Sequence, residues 1–133
     1  MGQAKEKTFK VRVENSIDMQ MVKDLLCTAL EAGSGYWAKF EDWDLASGVK
    51  RSDFEWIHEI PFKEGCALEF TIRPDVDQDD GWYKLDWENM ESGLQVMAEK
   101  YNWHYANLIN DNADAETADV FLQCSLFGEI VYG

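Results

Sequence analysis

Residues 111–133 read DNADAETADVFLQCSLFGEIVYG, an acid-rich opening that runs directly into an apolar segment. Asp111, Asp114, Glu116 and Asp119 fall within nine positions, a density that suits a metal site, a phosphate-like surface or the start of a helix. The helix start uses the local chemistry best. Asp114 stands where an N-cap carboxylate takes up unpaired backbone amides, and Glu116 falls on the first turn, at the positive end of the helix dipole. Val120, Phe121, Leu122, Cys124, Leu126, Phe127 and Ile130 then make the segment apolar almost all round. A helix of that kind is expected to be buried, inside the domain or in an oligomer.

Working back from this helix, Trp87, Met90, Leu94, Met97, Tyr101, Tyr105 and Leu108 step by three and four, which predicts one long amphipathic helix from Asp86 to Leu108. Asp111 and Asn112 are expected to end it. Further upstream the period shortens to two. CALEFTIRP is a strand ended by Pro74, and WYKLDW is a short strand or the lead into the helix. GYWAKFEDWDL and DFEWIHEI alternate as antiparallel strands joined by the turn around ASGVKRS. TFKVRVE sets Phe9, Val11 and Val13 against Lys10, Arg12 and Glu14, the pattern of a half-buried strand. Asn15 and Ser16 offer an N-cap, Asp18 favours the helix start, and Met19, Val22, Leu26 and Leu30 carry a helix closed by Gly33. The expected fold is α+β: an antiparallel sheet of three to five strands, with an N-terminal helix and two C-terminal helices packed on it, in a single domain over residues 1–133.

Composition restricts function. The chain carries 26 Asp and Glu against 12 Lys and Arg, a net charge of −14, so its field repels nucleic acid and anionic membrane and draws in basic surfaces. Direct nucleic-acid binding is not expected. Cys27, Cys66 and Cys124 are dispersed among apolar residues and lack zinc-ligand spacing, so they read as small buried hydrophobes. Free thiols without an export signal or a membrane span point to the cytoplasm. MGQAKE begins like a myristoylation site, but Glu6 stands where Ser or Thr is needed.

Chemical motifs are sparse. DVDQDDGWYKLD alternates Asp75, Asp77 and Asp79 as an EF-hand calcium loop does, with Asp86 at the twelfth place. Asp80 occupies the position that needs glycine, Asp replaces the bidentate Glu, and a strand precedes the loop where a helix belongs. An acidic solvated turn fits it better. His58 and His104 accompany no recognisable nucleophile, Ser34 in GSGY lacks the spacing of a nucleophile elbow, and no glycine-rich phosphate loop occurs. No catalytic residue, metal or cofactor is therefore assigned. Six Trp and five Tyr exceed what one small domain hides easily, so they are expected either to reach the surface at a protein interface or to build a large core between sheet and helices.

GSGYWAKFEDW and the ending DAETADVFLQ…LFGEIVYG together resemble a family of small, mostly uncharacterised proteins carried by phages, prophages and other mobile elements. The resemblance covers Gly35 to Trp37 and the last third of the chain, and brings no active site with it. It implies an accessory protein acting inside a bacterium, with Asp114 and Asp119 as helix-start or interface residues. The preferred expectation is an inhibitor of a host nucleic-acid-handling defence system, anti-CRISPR-like, whose carboxylates take the place of phosphates on a basic partner. Its partner-binding residues are expected to be Asp75, Asp77, Asp79, Asp80, Glu88, Glu91 and Trp82, with a homodimer as a further association. The alternative is a small metal- or ligand-binding protein or enzyme that uses the acidic loop from Asp75 to Asp86 with His58 or His104.

Overall fold

In the computed structural model, which describes residues 7–133, the buried C-terminal helix is the centre of an α+β fold. Helix α1 spans Met19–Thr28 and opens on Asp18, whose side chain accepts from the Gln20 amide at 2.7 Å. Asp18 is thus the N-cap itself, in place of Asn15 or Ser16. Val22, Leu25 and Leu26 form its buried face. The helix then widens into a π turn, Ala29–Gly33, closed by Ser34 N donating to Ala29 O at 2.8 Å.

The sheet has three antiparallel strands in the order β1 (Ala38–Asp44), β2 (Ala67–Ile72) and β3 (Tyr83–Leu85). Ala38 pairs with Ile72, Phe40 with Phe70 and Trp43 with Leu68, and a bulge between Phe40 and Asp42 shifts the register. Leu68 also faces Leu85, and Phe70 faces Tyr83. Leu68, Phe70 and Ile72 are buried on the core side of the central strand.

Helix α2 spans Trp87–Lys100, α3 spans Asn102–Ile109 and α4 spans Ala115–Phe127. Asp114 caps α4 as expected, accepting from Thr117 N at 2.9 Å. Gly128 ends it in the left-handed region at φ 75°, a conformation glycine adopts without a Cβ penalty. Every residue from Thr117 to Ser125 is buried, because α1, the π turn, α2, α3 and β3 all pack around this helix. The crossing with α2 is close: a Cβ on Gly93 would stand 2.3 Å from Ser125 Oγ.

Three sequence expectations are corrected. The long helix is broken at Tyr101 (φ −129°, ψ 51°), whose hydroxyl accepts from Ile130 N at 3.0 Å; the apolar repeat continues across the break, so periodicity does not reveal it. The expected strand DFEWIHEI is two 3-10 turns, Arg51–Asp53 and Ile57–Phe62. Carboxylates drive this: Asp53 accepts from Lys50 N, and Glu59 from the amides of Glu55 and Trp56, giving the backbone partners that a ladder would otherwise supply. The expected strand TFKVRVE lies outside any helix or strand, with Phe9 98% exposed. The MGQAKE reading falls outside the described residues.

Candidate protein-binding surface

The π turn delivers Ser34, Tyr36 and Trp37 to the middle of α4, where Asp119 receives them. Its Oδ1 accepts from Ser34 Oγ at 2.8 Å and from Trp37 Nε1 at 2.6 Å. Its Oδ2 accepts from Tyr36 Oη at 2.6 Å and Gln123 Nε2 at 3.1 Å. Four donors and no cation hold this buried carboxylate, since the salt bridges among the described residues join only Lys39 to Glu41 and Arg73 to Asp75. Burial, and then the bond to Asp119, keep the Tyr36 hydroxyl protonated well above the ordinary tyrosine range. One turn on, Gln123 Oε1 accepts from Val131 N at 2.7 Å and Tyr132 N at 2.8 Å, folding the last residues back over the helix.

This network explains the GYW segment as a structural contact. Ser34 donates to a carboxylate and has no imidazole beside it, as a nucleophile would need. His104 sits 3.2 Å from the Thr117 hydroxyl, and His58 lies half-buried within the 57–62 turn. Among the described residues neither forms a hydrogen bond or ion pair with the acidic loop.

The loop from Arg73 to Trp82, between β2 and β3, is built outward from the same aromatic cluster. Tyr132 stacks on Trp37 at 5.5 Å and 20°, and its hydroxyl donates to Asp77 at 2.9 Å. Tyr83 meets Phe127 edge-on at 4.9 Å and donates a short hydrogen bond to Asp79, whose other oxygen accepts from Gly81 N at 2.8 Å. Asp75 pairs with Arg73 at 3.2 Å, and Arg73 also donates to Gly35 O at 2.9 Å. Asp80 is exposed, and Trp82 is 60% exposed beside it.

Electrostatics follow from these contacts. The Tyr83 hydroxyl, then the Gly81 amide, hold the Asp79 carboxyl below its usual range, and the same bond to Asp79 raises Tyr83. Tyr132 is pushed up to about 12, by burial first and then by its bond to Asp77. Both tyrosines therefore remain donors at neutral pH, and both carboxylates are fixed in direction.

Asp75, Asp77, Asp79, Asp80 and Trp82 thus share one loop, while Glu88 and Glu91 stand apart from it on the first turns of α2. Glu88 borders a depression of about 360 Å³ with Lys63 and Lys84, and Glu91 borders another of about 400 Å³ beneath residues 13–17. Asp86 does not belong to the loop: it caps α2, accepting from Asn89 N at 2.9 Å. Among the described residues no group of three His, Cys, Asp or Glu side chains is placed to hold a metal ion.

Reading the sequence alone passes over the residues that organise this surface, namely Tyr36, Tyr83, Tyr132 and Gln123. One signal was present: Asp119 and Gln123 stand four apart on an otherwise apolar helix, and two buried polar side chains on one face require donors and acceptors from elsewhere in the chain. Compared with known proteins, the chain matches no protein-family model, no curated protein and no solved structure.

Proposed function

We propose that the chain is an accessory protein of a phage or mobile element that inhibits a host nucleic-acid-handling defence system, such as a CRISPR complex, by occupying a basic surface of that partner. The observation that carries this reading is the tyrosine-anchored acidic loop. Asp75, Asp77 and Asp79 are spaced carboxylates whose directions are set by Arg73, Tyr132 and Tyr83, and Asp80 stands exposed beside them. Fixed charges lose little conformational freedom on docking, and the exposed Trp82 adds an aromatic anchor.

The rest of the chain reinforces the field. Residues 74–133 carry 13 acidic side chains and only Lys84 and Lys100 as bases, so Glu88 and Glu91 act as steering charge around the loop. A groove that holds phosphates would meet carboxylates at this surface and release its own counterions, making association sensitive to salt. No specific observation favours the metal-dependent alternative.

The test compares the wild type with two variants: Asp75→Asn/Asp77→Asn/Asp79→Asn/Asp80→Asn, and Asp75→Lys/Asp80→Lys, which leaves both tyrosine contacts in place. Each is used to capture proteins from nuclease-treated lysate of a bacterial host at low salt, with elution by rising salt. The expected result is a basic nucleic-acid-binding protein or complex that the wild type retains and both variants lose. Its binding to nucleic acid should then be blocked by the wild type alone. Equal retention by all three proteins, or retention without any effect on the captured partner's nucleic-acid binding, would overturn the proposal.

A further inference from the structure

The segment Thr8–Glu14 has the alternation of a strand, yet among the described residues it pairs with no strand. Phe9 is 98% exposed, Val11 78% and Val13 75%. Three apolar side chains of one face of a would-be strand stand in water, a disposition that soluble proteins avoid unless another surface covers it. The arm is rooted at Asn15, whose amide donates to Tyr105 Oη at 3.1 Å, and at Ile17, which packs against the core. Val13 and Glu14 border the depression beside α2, and residues 8–12 stand exposed beyond it.

An edge able to receive it exists in the same fold. β1 is an outer strand of seven residues, and among the described residues the backbone groups of residues 39–44 bond to no element other than β2, with Trp43 N turned to its own neighbour Asp42 Oδ1 at 2.8 Å. On its core side lie Ala38, Phe40 and Trp43, with Phe40 and Trp43 stacked at 6.1 Å and Trp43 left 38% exposed. On its outer side Lys39 is paired with Glu41 at 3.3 Å, while Asp42 and Asp44 are exposed and leave that face net negative. β3, the opposite edge, is only three residues long and carries Lys84 at its centre, a charge that discourages pairing with a basic strand.

Charge matches the two pieces. Residues 7–13 carry Lys7, Lys10 and Arg12 with no acid, whereas residues 14–133 carry 25 acidic and 8 basic side chains. A strand laid along β1 with Phe9, Val11 and Val13 continuing the apolar side would place Lys10 and Arg12 on the side of Asp42 and Asp44. Opposite charges on neighbouring strands favour that register, and a one-residue slip would turn every apolar residue outward.

We infer that the arm of one copy of this chain adds as a fourth strand to the β1 edge of a second copy, so that two molecules exchange arms across a self-complementary interface. The exchange is reciprocal, because each copy supplies both an arm and an edge.

The test is the mass in solution by sedimentation velocity over a wide concentration range after nuclease treatment. The wild type is expected to form a concentration-dependent dimer, and the chain lacking residues 1–13 to be a folded monomer. Lys10→Glu/Arg12→Glu and Asp42→Lys/Asp44→Lys are each expected to raise the dissociation constant at least tenfold, since arm and edge then repel. An equimolar mixture of these two variants restores both attractive pairings and should dimerise. A wild type that stays monomeric, a dimer indifferent to arm removal, or a mixture that fails to associate would overturn the inference. So would a monomer whose arm amides are protected from hydrogen exchange, because the arm would then close on its own chain.

Discussion

Replacing Asp119 by alanine removes the acceptor on which the π turn and α4 converge. Tyr36 is 45% exposed and can turn its hydroxyl to water, and Gln123 Nε2 keeps its bond to Tyr132 O at 3.0 Å. The loss falls on Ser34 and Trp37, which are 1% and 0% exposed and have no second acceptor for their donors. An unsatisfied buried donor costs about 1–3 kcal/mol, so two cost roughly 2–6 kcal/mol. Removal of a desolvated carboxylate returns part of this, leaving a net loss of about 3 kcal/mol, a large share of the ~5–15 kcal/mol that holds a domain of this size.

Asp119→Asn is milder, at about 1 kcal/mol, because its remaining oxygen can serve Trp37 and Ser34 and its amide nitrogen can donate to the Tyr36 hydroxyl, while Gln123 Nε2 loses this acceptor and keeps Tyr132 O. Equilibrium urea denaturation followed by tryptophan fluorescence measures both variants against the wild type. The expected order of midpoints is wild type, then Asn, then Ala, with unchanged slopes. An alanine variant that unfolds at the wild-type midpoint would refute the claim that this carboxylate holds the two segments together.

Two further outcomes follow from the packing and the tyrosines. Gly93→Ala, which raises helix propensity in isolation, is expected to destabilise the fold by about 1–3 kcal/mol through collision with Ser125, and to lower the thermal midpoint. Tyr132 has its folded pKa raised from 10.0 to about 12, so its contribution to stability is complete below pH 10 and is lost as pH rises toward 12. Spectrophotometric titration is therefore expected to show late-titrating phenols, one fewer in Tyr132→Phe, with the Tyr132 step moved to lower pH in Asp77→Asn.

The sheet strands, the N-terminal helix and the last helix were legible because each follows its own period and carries a local signal at an end, such as Asp114 before α4 or Pro74 after β2. The failures share a physical cause. The break at Tyr101 is fixed by a contact to Ile130, far along the chain, and leaves no trace in the apolar repeat. Phe54, Trp56 and His58 alternate as a strand does, yet Asp53 and Glu59 satisfy the backbone locally, so the alternation carries no ladder. The acidic loop was visible as composition, but its anchoring by Tyr132 joins segments separated in sequence, and Asp119 read as a helix-start or interface residue because three of its four donors lie 82 to 85 positions upstream.

That separation sets the order of assembly. The β1–β2 hairpin and α1 can form from nearby residues, but the indole of Trp37 finds its acceptor only when α4 arrives, after closure of a loop of more than eighty residues. Until then the most apolar helix of the protein is without its cover, and sticky chains have time to meet. The net charge of −14 acts at that stage as mutual repulsion between half-folded molecules, a protection needed most while the centre of the fold is still open.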